Sequence, residues 1–174
     1  TDVDVPVVAV GVHREGDWPR FAAGSGADLD PVAAAQSALA EALQNWTELR
    51  SMGEAAAAEE SAAIGHHADF PAETRAFFDP DASVSADALG EPTLSGVDEL
   101  AAVVERVEAV GLEPYVARTT TRDLAALGFE AVRVLVPGAQ PLFTGEPFFG
   151  DRADEVPRSM GFEPTLDGPY HPFP

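Results

Sequence analysis

The sequence contains no cysteine and no lysine. Without cysteine there is no disulfide framework, no thiolate zinc site and no nucleophilic thiol, and an intracellular, reducing setting fits best. Without lysine a Walker loop is excluded, because that loop needs a lysine reaching the outer phosphates of the nucleotide. No run of about 18 apolar residues is present that could cross a bilayer, and the N-terminus lacks the basic region and apolar stretch of a secretory signal. Positive charge is scarce as well: 10 arginines face 30 acidic residues, a formal charge of -20 on 174 residues. The field of such a chain repels nucleic acid and anionic membranes, so neither is expected as a partner. It also repels itself. At roughly 1 M salt the Debye length falls to about 3 Å, which removes most of that repulsion, and the composition therefore reads as halophilic and cytoplasmic. What is present is apolar enough to fold, with 45% hydrophobic residues including 10 phenylalanines, too many for a disordered chain.

The pattern predicts one mixed α and β domain over residues 1–174, with no internal repeats. Valine-rich Val3 to Val12 reads as a strand, Glu15-Gly16-Asp17 as a turn and Phe21-Ala22-Ala23 as the returning strand of an antiparallel hairpin. Asp30 is placed to cap a helix and Pro31 to occupy its first position. Val32, Ala35, Leu39, Ala42, Trp46 and Leu49 recur at spacings of three and four, which predicts a helix to Arg50 with Leu39 and Trp46 buried. Residues 51–92 are acidic and proline-rich with little periodicity and read as an irregular insertion, mobile at Glu54 to Ser61 and anchored by Phe77-Phe78. Ser95 and Asp98 form a capping pair for a helix carrying Leu100, Val103, Val104, Val107 and Val110, stopped by Gly111. A short strand at Tyr115-Val116-Ala117, helical turns from Thr121 to Gly128 and a strand over Ala131 to Val136 follow. The proline-rich tail 140–174 reads as loop covering the sheet. Because Thr1 stands directly before a strand and no initiator Met is present, the chain is expected to be a piece of a longer polypeptide.

Gly24-Ser25-Gly26, between a strand and a helix, reads as a tight small-residue turn; a dinucleotide fingerprint would need a third glycine that is missing. At about 100° per residue, Ser37, Glu41, Gln44 and Glu48 share the helix face opposite Val32, Leu39 and Trp46. Carboxylate and amide groups together there could hold a hard cation with a nucleotide, since Mg²⁺ takes one or two carboxylates plus phosphate oxygens and water. Polar residues opposite an apolar stripe are also what any solvated helix displays. His66-His67 with Asp69 offers metal-ligand types, but adjacent residues diverge in direction. His13 and His171 are isolated in the sequence.

Three segments in order, GSGADLDPVAAAQSALAEALQ, GLEPYVARTTTRDLAALGFEAVRVLVPGAQPL and the ending PYHPFP, resemble the C-terminal half of the YcaO family, in a form suited to a halophilic archaeon. The resemblance implies an α+β fold with a mixed sheet and packed helices, in which 1–174 is a partial, C-terminal YcaO-like domain. It implies ATP and Mg²⁺ as cofactors and activation of a peptide backbone amide. A nucleophile adds to the amide carbonyl, the oxyanion takes the γ-phosphoryl group, and loss of phosphate gives an azoline, or a thioamide when sulfur is the nucleophile. Glu41 stands at the family's metal ligand, with Ser37 and Gln44 one turn to either side as nucleotide contacts. Arg133 in AVRVLVPG matches the family's strand arginine and would face phosphate. Pro172 and Pro174 match the C-terminal prolines that lie near the active site in azoline-forming members. A peptide or protein substrate, a partner protein of the modification complex and a homodimer are the implied associations. Two positions depart from the pattern: Trp46 stands where many members carry arginine, and the ending is not a strict alternation of prolines. A non-catalytic docking or scaffold protein of the same fold is the alternative, distinguished by whether Glu41, Gln44 and Arg133 converge.

Overall fold

The computed structural model describes residues 1–59, 68–79, 83–85, 88, 94–141 and 148–167. Strand β1 (Val7–His13) pairs antiparallel with β2 (Phe21–Ala27), with Val7 opposite Ala27 and His13 opposite Phe21. The strand begins later than the valine run suggests, because Val3 to Val5 turn before Pro6 with the Val5 N–H donating to the Val3 carbonyl. Arg14 closes the connection between the strands, its Nε donating to the carbonyls of Asp17 and Pro19 at 2.9 and 3.1 Å while its guanidinium lies over the Trp46 ring. Helix α1 (Pro31–Met52) starts as the sequence predicts: the Asp30 carboxylate accepts from the Val32 N–H and Pro31 stands in the first turn. It stops at Gly53, whose φ of 83° suits glycine.

The expected turn at Gly24-Ser25-Gly26 is instead part of strand β2. These glycines serve close approach. A Cβ at Gly24 would lie 2.2 Å from the Ala38 carbonyl oxygen and 2.4 Å from the Ala42 nitrogen, and one at Gly26 would lie 2.3 Å from the Ala34 oxygen. The strand therefore lies almost on the helix backbone, and the buried face of α1 is Ala34, Ala38, Ala42, Asn45 and Leu49. That corrects the predicted apolar face. Leu39, expected inside, is 45% exposed, Val32 and Leu43 are exposed beside it, and Trp46 is half-buried against the core. Small side chains win because only they allow backbone to approach backbone; the larger apolar residues are displaced around the helix to its outer side.

Alternation along β2 builds the rest of this core. Ala22 points toward Leu49 and Ala57, whereas Phe21 and Ala23 point to the opposite face and meet Phe70 and Phe78. Phe70 stacks on Phe21 with centroids 4.7 Å apart and on His13 at 5.1 Å, and Arg75 lies over its ring. Part of the region expected to be irregular is thus helical: α2 (Glu54–Glu59), where mobility was expected, and α3 (Ala72–Phe77). Phe78 does anchor the segment, and Phe21, with which it shares a tilted contact, is among the most buried side chains.

Beyond residue 94 come α4 (Val97–Ala109), β3 (Tyr115–Arg118), α5 (Arg122–Ala126), β4 (Val132–Leu135) and α6 (Asp151–Ser159). Gly96, with φ 62°, takes the N-cap place expected of Ser95 and makes no side-chain cap. Strands β3 and β4 pair antiparallel, Tyr115 opposite Leu135 and Ala117 opposite Arg133. Helix α6 corrects the reading of the tail as loop: Asp151 and Asp154 suit its first turn and Arg158 its last, and Pro157, which reads as a breaker, sits near its C-terminal end. Arg152 of α6 ties three segments together, bonding the Asp2 carboxylate and the Val110 carbonyl. No helix among the described residues is long and apolar enough to cross a membrane.

Candidate functional site

The antiparallel ladder decides which groups of β2 are free to meet α1. Arg14 N–H to Arg20 O and Asp28 N–H to Pro6 O bracket the β1–β2 pairing, so the even-numbered residues of β2 face β1 and the odd ones present N–H and C=O along the outer edge. Three groups of that edge find partners outside the hairpin. The Phe21 N–H donates to the Ala68 carbonyl at 3.1 Å, the Ala23 carbonyl accepts from Asn45 Nδ2 at 2.8 Å, and the Ser25 N–H donates to Glu41 Oε2 at 2.9 Å. Residues 41 and 45 are one helical turn apart and residues 23 and 25 two strand residues apart, and the two spacings nearly coincide at about 6 Å.

Glu41 is therefore half-buried at the seam between α1 and β2, with one carboxylate oxygen committed to a backbone amide and the other without a hydrogen-bond partner among the described residues. Ser37 flanks the same seam one turn earlier, its Cβ 3.1 Å from where a Cβ on Gly26 would stand. Gln44 is exposed on the same flank of the helix. Ser37, Glu41 and Gln44 thus lie together, but beside the buried stripe rather than diametrically opposite it. Asn45, only 1% exposed, was not singled out by the sequence reading. Its signal was an amide standing inside the run of small and apolar residues that α1 buries.

Arg133 is exposed on β4, on the sheet face that also carries Tyr115, Ala117 and Leu135. Among the described residues the main packed pairs of elements are α1 with β2, β1 and α2, β1 with β2, and β3 with β4, so Arg133 and Glu41 stand on elements that are not principal packing partners. Pro172 and Pro174 lie outside the described residues, as do His66, His67 and His171. Asp69 pairs with Arg20 instead, and His13 is engaged with the Phe70 ring. Among the described residues no three histidines or carboxylates gather as a metal cage. Among the described residues the shifted titrations lie in the second half of the chain: the Arg118 guanidinium, with the Thr120 hydroxyl, holds Glu130 below the usual carboxylate range, Thr121 does the same for Asp123, the bond to Glu113 raises the Tyr115 phenol, and Asp154 raises Arg158.

Residues 1–140 match a family model described as YcaO cyclodehydratase, ATP- and Mg²⁺-binding. The chain belongs to the YcaO family. Its fold agrees with solved heterocyclases: a heterocyclase in complex with substrate and cofactor superposes with a TM-score of 0.75 at 23% identity over 99% of this chain. The heterocyclase TruD superposes with a TM-score of 0.67, also at 23% identity, over 95% of this chain. This YcaO chain spans only 24% and 22% of the length of those two proteins. No curated protein sequence is detectably similar to it. The family match ends before the proline-rich terminus.

Proposed function

We propose that this region is part of a YcaO enzyme that uses ATP and Mg²⁺ to phosphorylate a peptide backbone amide on oxygen, leading to an azoline or a thioamide. The observation that carries this reading is the Glu41 carboxylate, half-buried and pinned through one oxygen to the Ser25 amide; the family resemblance assigns that position to the metal ligand. The donor set fits the ion. A hard cation carrying phosphate oxygens and water needs one or two carboxylates from the protein, so no protein cage is required.

Bound ATP supplies the phosphoryl group that turns the amide oxygen into a leaving group. The residues of this chain contribute position and charge. Glu41 would hold the metal, Ser37 and Gln44 would offer a hydroxyl and an amide on the same flank, and the seam fixes all three relative to β2. Arg133 offers a planar, permanently charged fork to phosphate. By the family resemblance, Pro172 and Pro174 are assigned a role at the reacting amide. The substrate is a peptide or protein segment, delivered with a partner protein of the modification complex, the enzyme is a homodimer, and the setting is a salt-rich cytoplasm in a halophilic archaeon. As a unit, 1–174 is a single C-terminal YcaO subdomain with an acidic insertion at 51–92.

Calorimetric titration of Mg-ATP into the intact protein in molar KCl tests this. Glu41→Ala is expected to weaken binding by about 3 kcal/mol and to abolish turnover, the scale seen when a transition-state or phosphate charge loses its partner. Unchanged affinity and turnover would remove Glu41 from the site. One observation favours a second reading, that of a non-catalytic docking protein: among the described residues the main packing partner of the Arg133 strand is β3 rather than α1. Under that reading Arg133→Ala leaves nucleotide affinity unchanged, whereas the enzyme reading expects at least a tenfold loss, the size of a charge-assisted bond of about 1.5–3 kcal/mol.

A further inference from the structure

We infer that Asn45 is a positioning residue for Glu41, acting through strand β2. The inference rests on Glu41 being the metal ligand. Asn45 is almost completely buried in an otherwise apolar and small-residue face, and its amide donates to the Ala23 carbonyl on the outer edge of β2. A buried amide in such a place fixes register, because sliding the strand would leave both Asn45 and the carbonyl unpaired. Two residues along the same edge, the Ser25 N–H is thereby held 2.9 Å from Glu41 Oε2. Gly24 lies between these two bonds, and a Cβ there would also come 2.9 Å from the Glu41 Cβ. Asn45, the Gly24 backbone and the Ser25 amide therefore form one fixture that sets which Glu41 oxygen is occupied and where the other points. An outer hydrogen bond of this kind orients a ligating carboxylate, and its loss typically weakens metal affinity about 10- to 100-fold.

The test is a double-mutant cycle on the intact protein in molar KCl, with Mn²⁺ binding in the presence of ATP followed by electron paramagnetic resonance and metal-free ATP binding followed by calorimetry. Asn45→Leu keeps the branched outline of the side chain and removes the donor. The expected result is a loss of Mn²⁺ affinity of about tenfold or more, no change toward metal-free ATP, and no further loss when Asn45→Leu is added to Glu41→Ala. An equal loss in both backgrounds would make Asn45 a purely structural residue and overturn the inference, as would unchanged Mn²⁺ affinity. If Glu41→Ala alone leaves Mn²⁺ affinity intact, the metal-ligand reading itself fails and this inference falls with it. Should Asn45→Leu not fold, Asn45→Ser, which leaves room for water at the Ala23 carbonyl, enters the same cycle with the same two outcomes.

Discussion

The two halves of the chain each build one two-stranded antiparallel sheet and bury it very differently. In β1, β2 and α1 an alanine stripe and a glycine-bearing strand close on each other, and aromatic residues cover the opposite face. In the region from α4 to α6 no element has a fully buried residue, and β3 and β4 expose Val116, Val132, Val134 and Leu135 on both faces of a two-stranded sheet. A β-rich pattern thus specifies that a strand forms, while coverage depends on whether a neighbour can come close. A two-stranded sheet without cover is marginal in water, so the first half should carry most of the stability of this chain.

The largest contrast is expected from deleting side chains. Leu49→Ala should cost about 2–5 kcal/mol, because Leu49 is fully buried, whereas Leu135→Ala should change stability by about 0.5 kcal/mol or less. Chemical denaturation of the two variants measures this, and comparable losses would mean that the β3–β4 sheet is as well supported as the first. Adding a methyl group comes next. Gly24→Ala drives a Cβ into helix backbone and should cost about 3 kcal/mol, the upper range for overpacking. Gly128→Ala, at φ 79° with nothing nearby, should cost only about 1–2 kcal/mol from its left-handed conformation. Thermal melts of this pair give the order.

Two smaller effects sharpen the same contrast. With a charge of -20, lowering KCl from molar toward millimolar concentration should loosen the chain. Amide hydrogen exchange is expected to show β3–β4 losing protection before β1–β2; simultaneous loss would make the two regions one cooperative unit, and full protection in dilute buffer would remove the salt dependence altogether. The smallest effect is at Glu130. Arg118 depresses its folded pKa, so its contribution is present above the unfolded carboxylate value and is lost as pH falls through the folded one. Glu130→Gln should therefore lower the melting temperature slightly at neutral pH and not at all in strong acid, and because both groups are exposed the difference should also shrink with salt.

Much of this was legible in the residues. Asp30-Pro31 marked the start of α1, and Tyr115, Thr121 and Gly128 bracketed the second sheet and its short helix. Arrangement was harder to read. Hydrophobicity ranks leucine and tryptophan above alanine, so periodicity pointed to Leu39 and Trp46 as the inner face, when approach distance favoured Ala34, Ala38 and Ala42. Gly24 and Gly26 read as a turn because glycine permits both a turn and a close contact, and only the partner's position tells them apart. At the site, the helical grouping of Ser37, Glu41 and Gln44 followed from 3.6-residue geometry. The roles of Asn45 and the Ser25 amide did not, since a backbone group has no letter in the sequence.

The seam between α1 and β2 is made almost wholly of atoms that every residue shares. Alanine and glycine have no side-chain rotamers to freeze, so this contact forms without the ordering cost that leucine or methionine would add. It also has no rotamers with which to adjust. A chain drifting in sequence can repack an ordinary core by trading volume among neighbours, but here no neighbour has volume to give. Residues 24, 26, 34, 38 and 42 form a closed alphabet of two letters, and the place of the Glu41 carboxylate should be inherited with it.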